Sequence, residues 1–263
     1  TIHDASVFAC PNDFTKAFTL IYKFILPQLG RKGLRILTDS NFSKNELVKY
    51  KIAPADKISV VYNGISLSDQ AAGIKPGNEN LSELTNSLYF LFVGSLVPRK
   101  NLARLLAAWR LLLSRYQEKA IKLYVAGGIY RHFTSQSLKD MRNEHIIFGG
   151  QVTDDELALL YRNARGLVFP SLYEGFGHPP LEAMVCGCPV IVSETASLPE
   201  ICGAAAYYIN PYDIETIAAG MYKFLVDNNL RQDLIQKGFA QARHFAWATC
   251  ARDTLTVFKQ VLN

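Results

Sequence analysis

Short runs of consecutive apolar residues alternate along this chain with stretches in which apolar positions recur every three or four residues. The runs are LYFLFV (88–93), IKLYVA (121–126), HIIF (145–148), GLVFP (166–170), PVIV (189–192) and AYYI (206–209). Between the first two, Leu102, Leu105, Leu106, Trp109, Leu112, Leu113 and Tyr116 mark one face of a helix over roughly 100–117. A weaker helical pattern precedes residue 145, and Thr153 with Glu156 three positions on forms a capping box that opens the next helix. Strands that are apolar throughout belong to a parallel sheet covered on both faces. The pattern therefore predicts a doubly wound α/β domain.

Residues 34–38 (LRILT) and 58–62 (ISVVY) read as strands of a second α/β unit, with Asp39 and Ser40 placed to cap a helix over KNELVKY. The polar stretch 68–87, with its Gly, Pro and Asn, reads as the linker between the units. Helical patterns fill the chain after residue 212. The expected organisation is a partial N-terminal domain over 1–70, a linker over 71–87, a second domain over 88–247 and a last helix over 248–263 that crosses back.

At 263 residues, 49% hydrophobic and 19% charged, the chain is an ordinary globular polypeptide and not a disordered one. No apolar run reaches the ~18 residues of a membrane span. The best candidates lie around 18–26, which holds Lys23, and around 87–97. A net charge of +5 suits an anionic ligand or an anionic membrane surface and is too small to argue for nucleic acid. Five cysteines form no CxxC pair and suggest no disulfide framework, which fits a reducing cytoplasm. The opening TIHDASVFACP has neither the features of a signal peptide nor an initiator Met, so an upstream portion is expected.

The chemistry concentrates in YEGFGHPPLEAM (173–184). This stretch leaves the strand 166–170 at its carboxyl end, where open parallel sheets bind ligands. Gly175 and Gly177 let the backbone turn and approach a ligand, while Pro179 and Pro180 suit the first turn of a helix that Gly187 ends. The free N–H groups of such a helix start favour an anion. Glu174 and Glu182 on either side would oppose an anion unless they accept from hydroxyls, and a carboxylate can take two adjacent hydroxyls of a sugar. Phosphate plus polyol describes a nucleotide sugar. The competing reading is a dinucleotide fold, since GFGHPP is close to GxGxxG and Glu194 follows at suitable spacing. It fails at Pro180, where close packing needs a small residue, and at the four residues between strand and first glycine.

Residues 169–213, with HD at His3–Asp4, TDSNFSKNEL (38–47), VYNGI (61–65), FVGSLVPRKNL (92–102), VAGG (125–128) and FGGQVTDDELALLY (148–161), resemble the retaining GT-B glycosyltransferases of family 4 in order and spacing. The resemblance implies a GT-B-type fold, with a Rossmann-like donor domain and part of a second Rossmann-like domain. It implies that Glu174 holds hydroxyls of the donor sugar beside Gly175 and the N–H groups of Phe176 and Gly177, and that Glu182 binds the ribose. Lys100 neutralises the diphosphate, with Arg99 in support because Ser95 stands after Gly94 where many relatives carry arginine. Gln151 and Val152 meet the base, and His3 closes the cleft from the acceptor side. The implied activity is retaining transfer of a hexose, mannose from GDP-mannose ahead of UDP-sugars, to a glycan or lipid-linked acceptor in surface-polysaccharide synthesis. Neither metal nor other cofactor is expected, and contact with the inner face of the membrane would be peripheral. The alternative is a non-catalytic nucleotide-sugar-binding fragment.

Overall fold

The computed structural model describes residues 1–66, 84, 87–116, 121–128 and 145–262. The linker of 71–87 and the weaker helix before residue 145 lie almost wholly outside the described residues. The first unit contains α1 (Ser6–Ala9), α2 (Lys16–Lys32), β1 (Ile36–Thr38), α3 (Asn41–Lys49) and β2 (Ile58–Val60). The second begins with β3 (Leu88–Val93), α4 (Leu102–Tyr116), β4 (Ile121–Ala126), β5 (Ile146–Gly150), α5 (Asp154–Asn163) and β6 (Gly166–Phe169). It continues with α6 (His178–Val185), β7 (Val190–Ser193), α7 (Leu198–Cys202), β8 (Ala206–Ile209), α8 (Ile214–Val226), α9 (Asn228–Ala242) and α10 (Trp247–Leu262).

All six strands of the second unit are parallel, in the order β5-β4-β3-β6-β7-β8. The chain thus builds outward from β3 in one direction and from β6 in the other. The carboxyl ends of β3 and β6 form the switch point at which such sheets open a crevice. Alternate residues of β3 serve opposite cores: Tyr89 and Leu91 pack with α5 and α6 residues, whereas Phe90 and Phe92 pack with Leu105, Trp109 and Phe224 of α4 and α8. Both faces are covered, which explains why the strands carry no polar alternation.

The first unit is thinner. β1 and β2 pair in parallel, and a small core of Ile2, Ala5, Leu26, Ile36, Leu47, Ile52, Ala53 and Ile58 lies beside them. Ser40 caps α3 by accepting from Ser43 N, but Asp39 does not share that task and turns to His3 instead. Only Leu26 and Gly30 of α2 are buried. Leu20, Ile21, Phe24, Ile25 and Leu29 are exposed, Leu20 by 74%. The stretch around 18–26, weighed above only as a membrane span, instead gives α2 a long apolar side among its lysines and arginines. Among the described residues no helix is long and apolar enough to cross a membrane.

The units are tied together. The Glu200 carboxylate of α7 accepts from Asn41 N (2.7 Å), Phe42 N (3.0 Å) and Tyr62 OH (2.8 Å), placing a negative charge on the first turn of α3. Ile65 N donates to the Phe245 carbonyl (2.8 Å) just before α10. That helix runs back to the first unit, where Val257, Phe258 and Val261 line a cavity with Leu34 and Leu37.

Candidate functional site

The loops after β3 and β6 are joined directly, since Leu172 N donates to the Arg99 carbonyl (2.7 Å). A single 3₁₀ turn, Pro98–Lys100, ends on Asn101 in the left-handed region (φ 62°), which asparagine tolerates. The Asn101 amide donates to the carbonyls of Pro170 (3.0 Å) and Pro211 (2.7 Å), so the turn is held against the opposite loop. This geometry carries Lys100 inward over Gly94, and leaves it 7% exposed.

Lys100 Nζ lies 2.6 Å from Glu174 Oε1 and 4.7 Å from the centre of the Phe169 ring. Arg99 NH1 lies 3.3 Å from the other Glu174 oxygen, while Arg99 Nε pairs with Asp13 at 3.1 Å. Burial alone would push the Glu174 carboxyl up, yet Lys100, then Arg99, hold it below the usual carboxylate range. Burial in turn pushes Lys100 down, and Glu174 opposes that. The Lys100 charge is thus buried and already paired with Glu174.

The glutamate loop is fixed by its backbone. Ser197 Oγ lies within hydrogen-bond reach of the Glu174 (2.9 Å) and Phe176 (2.6 Å) carbonyls. From the first unit, Ser40 Oγ (2.6 Å) and Ser43 Oγ (2.9 Å) donate to the Gly175 carbonyl. A Cβ on Gly175 would fall 2.6 Å from Asp4 Cβ, so glycine is what permits the two units to approach here. Gly177, at φ 121°, then starts α6 without a side-chain cap, with Pro179 and Pro180 in the first turn.

A cleft of about 490 Å³ opens between the units. One wall is Arg99, Lys100, Glu174, Gly175, Phe176, Gly177, His178 and Pro179. The facing wall is His3, Asp4, Asp39 and Asn63, with Trp247 at the rim of α10. His3 Nδ1 lies 2.9 Å from Asp39 Oδ2 and 3.1 Å from Oδ1. Burial raises the Asp39 carboxyl above its ordinary value, with His3 acting against it. Burial lowers His178, with Asp39 acting against that.

Seven of the twelve residues singled out in the sequence therefore share this cleft: His3, Arg99, Lys100, Glu174, Gly175, Phe176 and Gly177. Gly94, Ser95, Gln151, Val152 and Glu182 are not among its lining residues. Gly94 and Ser95 lie on the loop after β3, and Gln151 and Val152 follow β5. These loops are laced together by Gly94 N to the Ala126 carbonyl (3.0 Å) and Gly127 N to the Gly150 carbonyl (2.7 Å). Glu182 faces α5, where it accepts from Tyr161 OH (3.0 Å), and its burial raises the carboxyl above its ordinary value. Sequence reasoning missed Asp39, Asn63, His178 and Trp247 as cleft residues. Asp39 alone carried a usable signal, a carboxylate at the carboxyl end of a short strand.

The arrangement offers a buried carboxylate held by two cations, backbone N–H groups at a helix start, and a facing histidine–carboxylate pair. It suits a ligand that is anionic at one end and hydroxyl-rich at the other.

The chain matches the family described as glycosyl transferases group 1 over residues 78–241. It is 34% identical to O-antigen chain mannosyltransferase B of Escherichia coli, an alignment covering 98% of this chain and 69% of that protein. It is 32% identical to O-antigen chain mannosyltransferase RfbU of Salmonella typhimurium, covering 81% and 56% respectively. A serotype-specific mannosyltransferase WbdA of Escherichia coli is 30% identical, with 87% of this chain covering 29% of its length. In fold, Anabaena Alr3699/HepE, solved with UDP and glucose, superposes with a TM-score of 0.78 at 17% identity, covering 95% of this chain and 69% of that one. Sucrose-phosphate synthase of Thermosynechococcus elongatus gives 0.74 at 22% identity, covering 98% and 65%. The chain belongs to the glycosyl transferases group 1 family and has the GT-B architecture.

Proposed function

We propose that this chain binds a nucleotide sugar and transfers its hexose, with retention, to a glycan or lipid-linked saccharide during surface-polysaccharide synthesis. The observation that carries the reading is Glu174, buried at the switch point and gripped by Lys100 and Arg99. A carboxylate so paired is a weak nucleophile and a strong hydrogen-bond acceptor, which favours holding sugar hydroxyls over forming a glycosyl–enzyme bond. The donor phosphates would take Lys100 as cation together with the amides of Phe176 and Gly177. As the anomeric bond breaks, charge grows on the leaving phosphate, and a fixed cation there stabilises the transition state more than the ground state. The departing phosphate then accepts the proton of the attacking hydroxyl on the same face. Glu182 would take the ribose, and Gln151 and Val152 the base, farther along the sheet edge.

Mannose from GDP-mannose is the first choice of donor because the relatives above are mannosyltransferases of O-antigen chains, and UDP-sugars come next. No metal is required in this scheme. Peripheral contact with an anionic bilayer belongs to the same proposal and rests on the apolar side of α2 beside Lys16, Lys23, Arg31 and Lys32. Co-sedimentation with anionic but not neutral liposomes tests it.

Thermal shift with a panel of GDP- and UDP-sugars tests the donor, since binding to the folded state alone raises Tm by mass action. NMR of the product's anomeric centre tests retention, and chelator tests the metal. No shift with any nucleotide sugar sinks the proposal. The span of 29–69% of the relatives' lengths favours one second reading, a binding portion that does not transfer alone. Donor binding without turnover is its signature.

A further inference from the structure

Trp247 opens α10 and is 53% exposed, yet it lines the cleft with His3, Lys100 and Glu174. Its position is fixed. A Cβ on Gly64 would collide with Trp247 Cγ, Cδ2 and Cα, so only glycine lets the chain pack this closely against the residue. Two residues earlier, Phe245 is buried edge-on between the rings of Tyr62 and Phe176, each with a centroid 5.7 Å away. Packed against Gly64 yet about half exposed, the indole keeps a free face where it lines the cleft, and a flat aromatic surface of this kind can carry a stacked ring.

We infer that this face is a stacking platform for the acceptor saccharide, with Asn63, Asp39 and His3 supplying the partners for its hydroxyls. The inference rests on the transferase reading above and adds where the acceptor sits. A pyranose has an apolar C–H face and a rim of hydroxyls. The complement is an aromatic plane beside a few convergent polar groups, and the wall opposite the Lys100–Glu174 pair has that composition. Asp39, when ionised, is acceptor-only, while the Asn63 amide both donates and accepts. The nucleoside end of the donor is assigned elsewhere, toward Gln151 and Glu182, neither of which lines this cleft. The donor hexose is assigned to Glu174 on the other wall of the same cleft, which leaves the α10 side to the second substrate.

The chain has two tryptophans, and Trp109 is fully buried in the core. Collisional quenching by iodide therefore reads Trp247. Methyl glycosides and disaccharides of mannose, glucose, galactose and N-acetylglucosamine are titrated with GDP present, and GDP alone is the control. At least one saccharide is expected to shield Trp247, cutting the quenching constant by about half, and GDP alone is expected to leave it unchanged. With the preferred saccharide as acceptor, Trp247→Ala is expected to raise the acceptor KM about 10-fold and leave the donor KM within about 2-fold, and Trp247→Phe to recover most of the loss. Shielding by GDP alone, shielding by no saccharide, or an unchanged acceptor KM in Trp247→Ala overturns the inference. The quenching arm needs no turnover and no variant. Absence of a thermal shift with every nucleotide sugar, alongside saccharide shielding, would sink the transferase reading and leave the platform standing.

Discussion

The two walls of the cleft each bury a carboxylate to the same degree, Glu174 and Asp39 both being 7% exposed, and yet the two titrate in opposite directions. Glu174 faces two cations, one of them buried, and their attraction exceeds the cost of leaving water. Among the described residues Asp39 faces no lysine or arginine, only the exposed His3, with Asn63 and His178 beside it, and there the cost of burial wins. The lesson is that depth does not set charge in this cleft; the number and closeness of the cationic partners do. The donor-side wall is electrostatically preset before any ligand arrives, whereas the facing wall stays adjustable.

The largest test removes one partner from the preset wall. Glu174→Ala strands Lys100 in the interior, and losing one half of a buried pair costs about 3–5 kcal/mol. Asp39→Asn keeps the shape and leaves no buried charge behind, so it is expected to cost about 1 kcal/mol. Chemical denaturation of the two variants beside the parent measures both. Equal losses would erase the contrast between the walls.

The same contrast has a pH form. Glu174 titrates below its ordinary 4.5 in the fold, so the stability it brings is present above that pH and drains as pH falls through the folded value. Asp39 titrates above its ordinary 3.8, so its contribution is present at low pH and is lost as pH rises through the folded value. Unfolding of Glu174→Gln and the parent should therefore converge as pH drops below 4.5. Asp39→Asn should lose ground to the parent over the same descent. Parallel curves for the two variants would show that the walls do not differ electrostatically.

A third test concerns the seam. Gly175→Ala places a methyl 2.7 Å from Asp4 Oδ2, and overpacking of this kind costs about 1–3 kcal/mol. Adding Asp4→Gly, which removes the Cβ as well as the carboxylate, should return part of that loss, read by the same denaturation assay. No relief in the double variant would mean that the walls do not meet at this point.

How much of this was legible follows from the range of each interaction. The parallel sheet was readable because β3, β6 and β7 are apolar at almost every position, and the Thr153–Glu156 capping box because its partners lie three residues apart. Glu174 and Lys100 were legible as residue types in a glycine-proline bend and a basic turn. Their direct pairing was not, because it spans 74 positions and depends on Lys100 turning inward over Gly94. The capping role given to Asp39 fell to Ser40 alone, because a cap needs one short acceptor and Asp39 already held His3. The exposed side of α2 escaped notice because Leu20, Phe24 and their neighbours were weighed as a membrane span and not as a helix surface.

The smallest test asks whether the first unit holds the glutamate loop or merely touches it. The Gly175 carbonyl accepts from both Ser40 and Ser43, and both hydroxyls are buried. Ser43→Ala alone leaves the carbonyl one donor and should cost about 0.5–1 kcal/mol. Ser40→Ala also strips the cap from α3 and should cost about 1 kcal/mol more. If these hydroxyls position Glu174, the double variant loses more affinity for the nucleotide sugar than for the acceptor saccharide, because the carbonyl follows Glu174 by one residue on the donor wall. Equal loss on both sides would mean that the serines join the walls without setting either one.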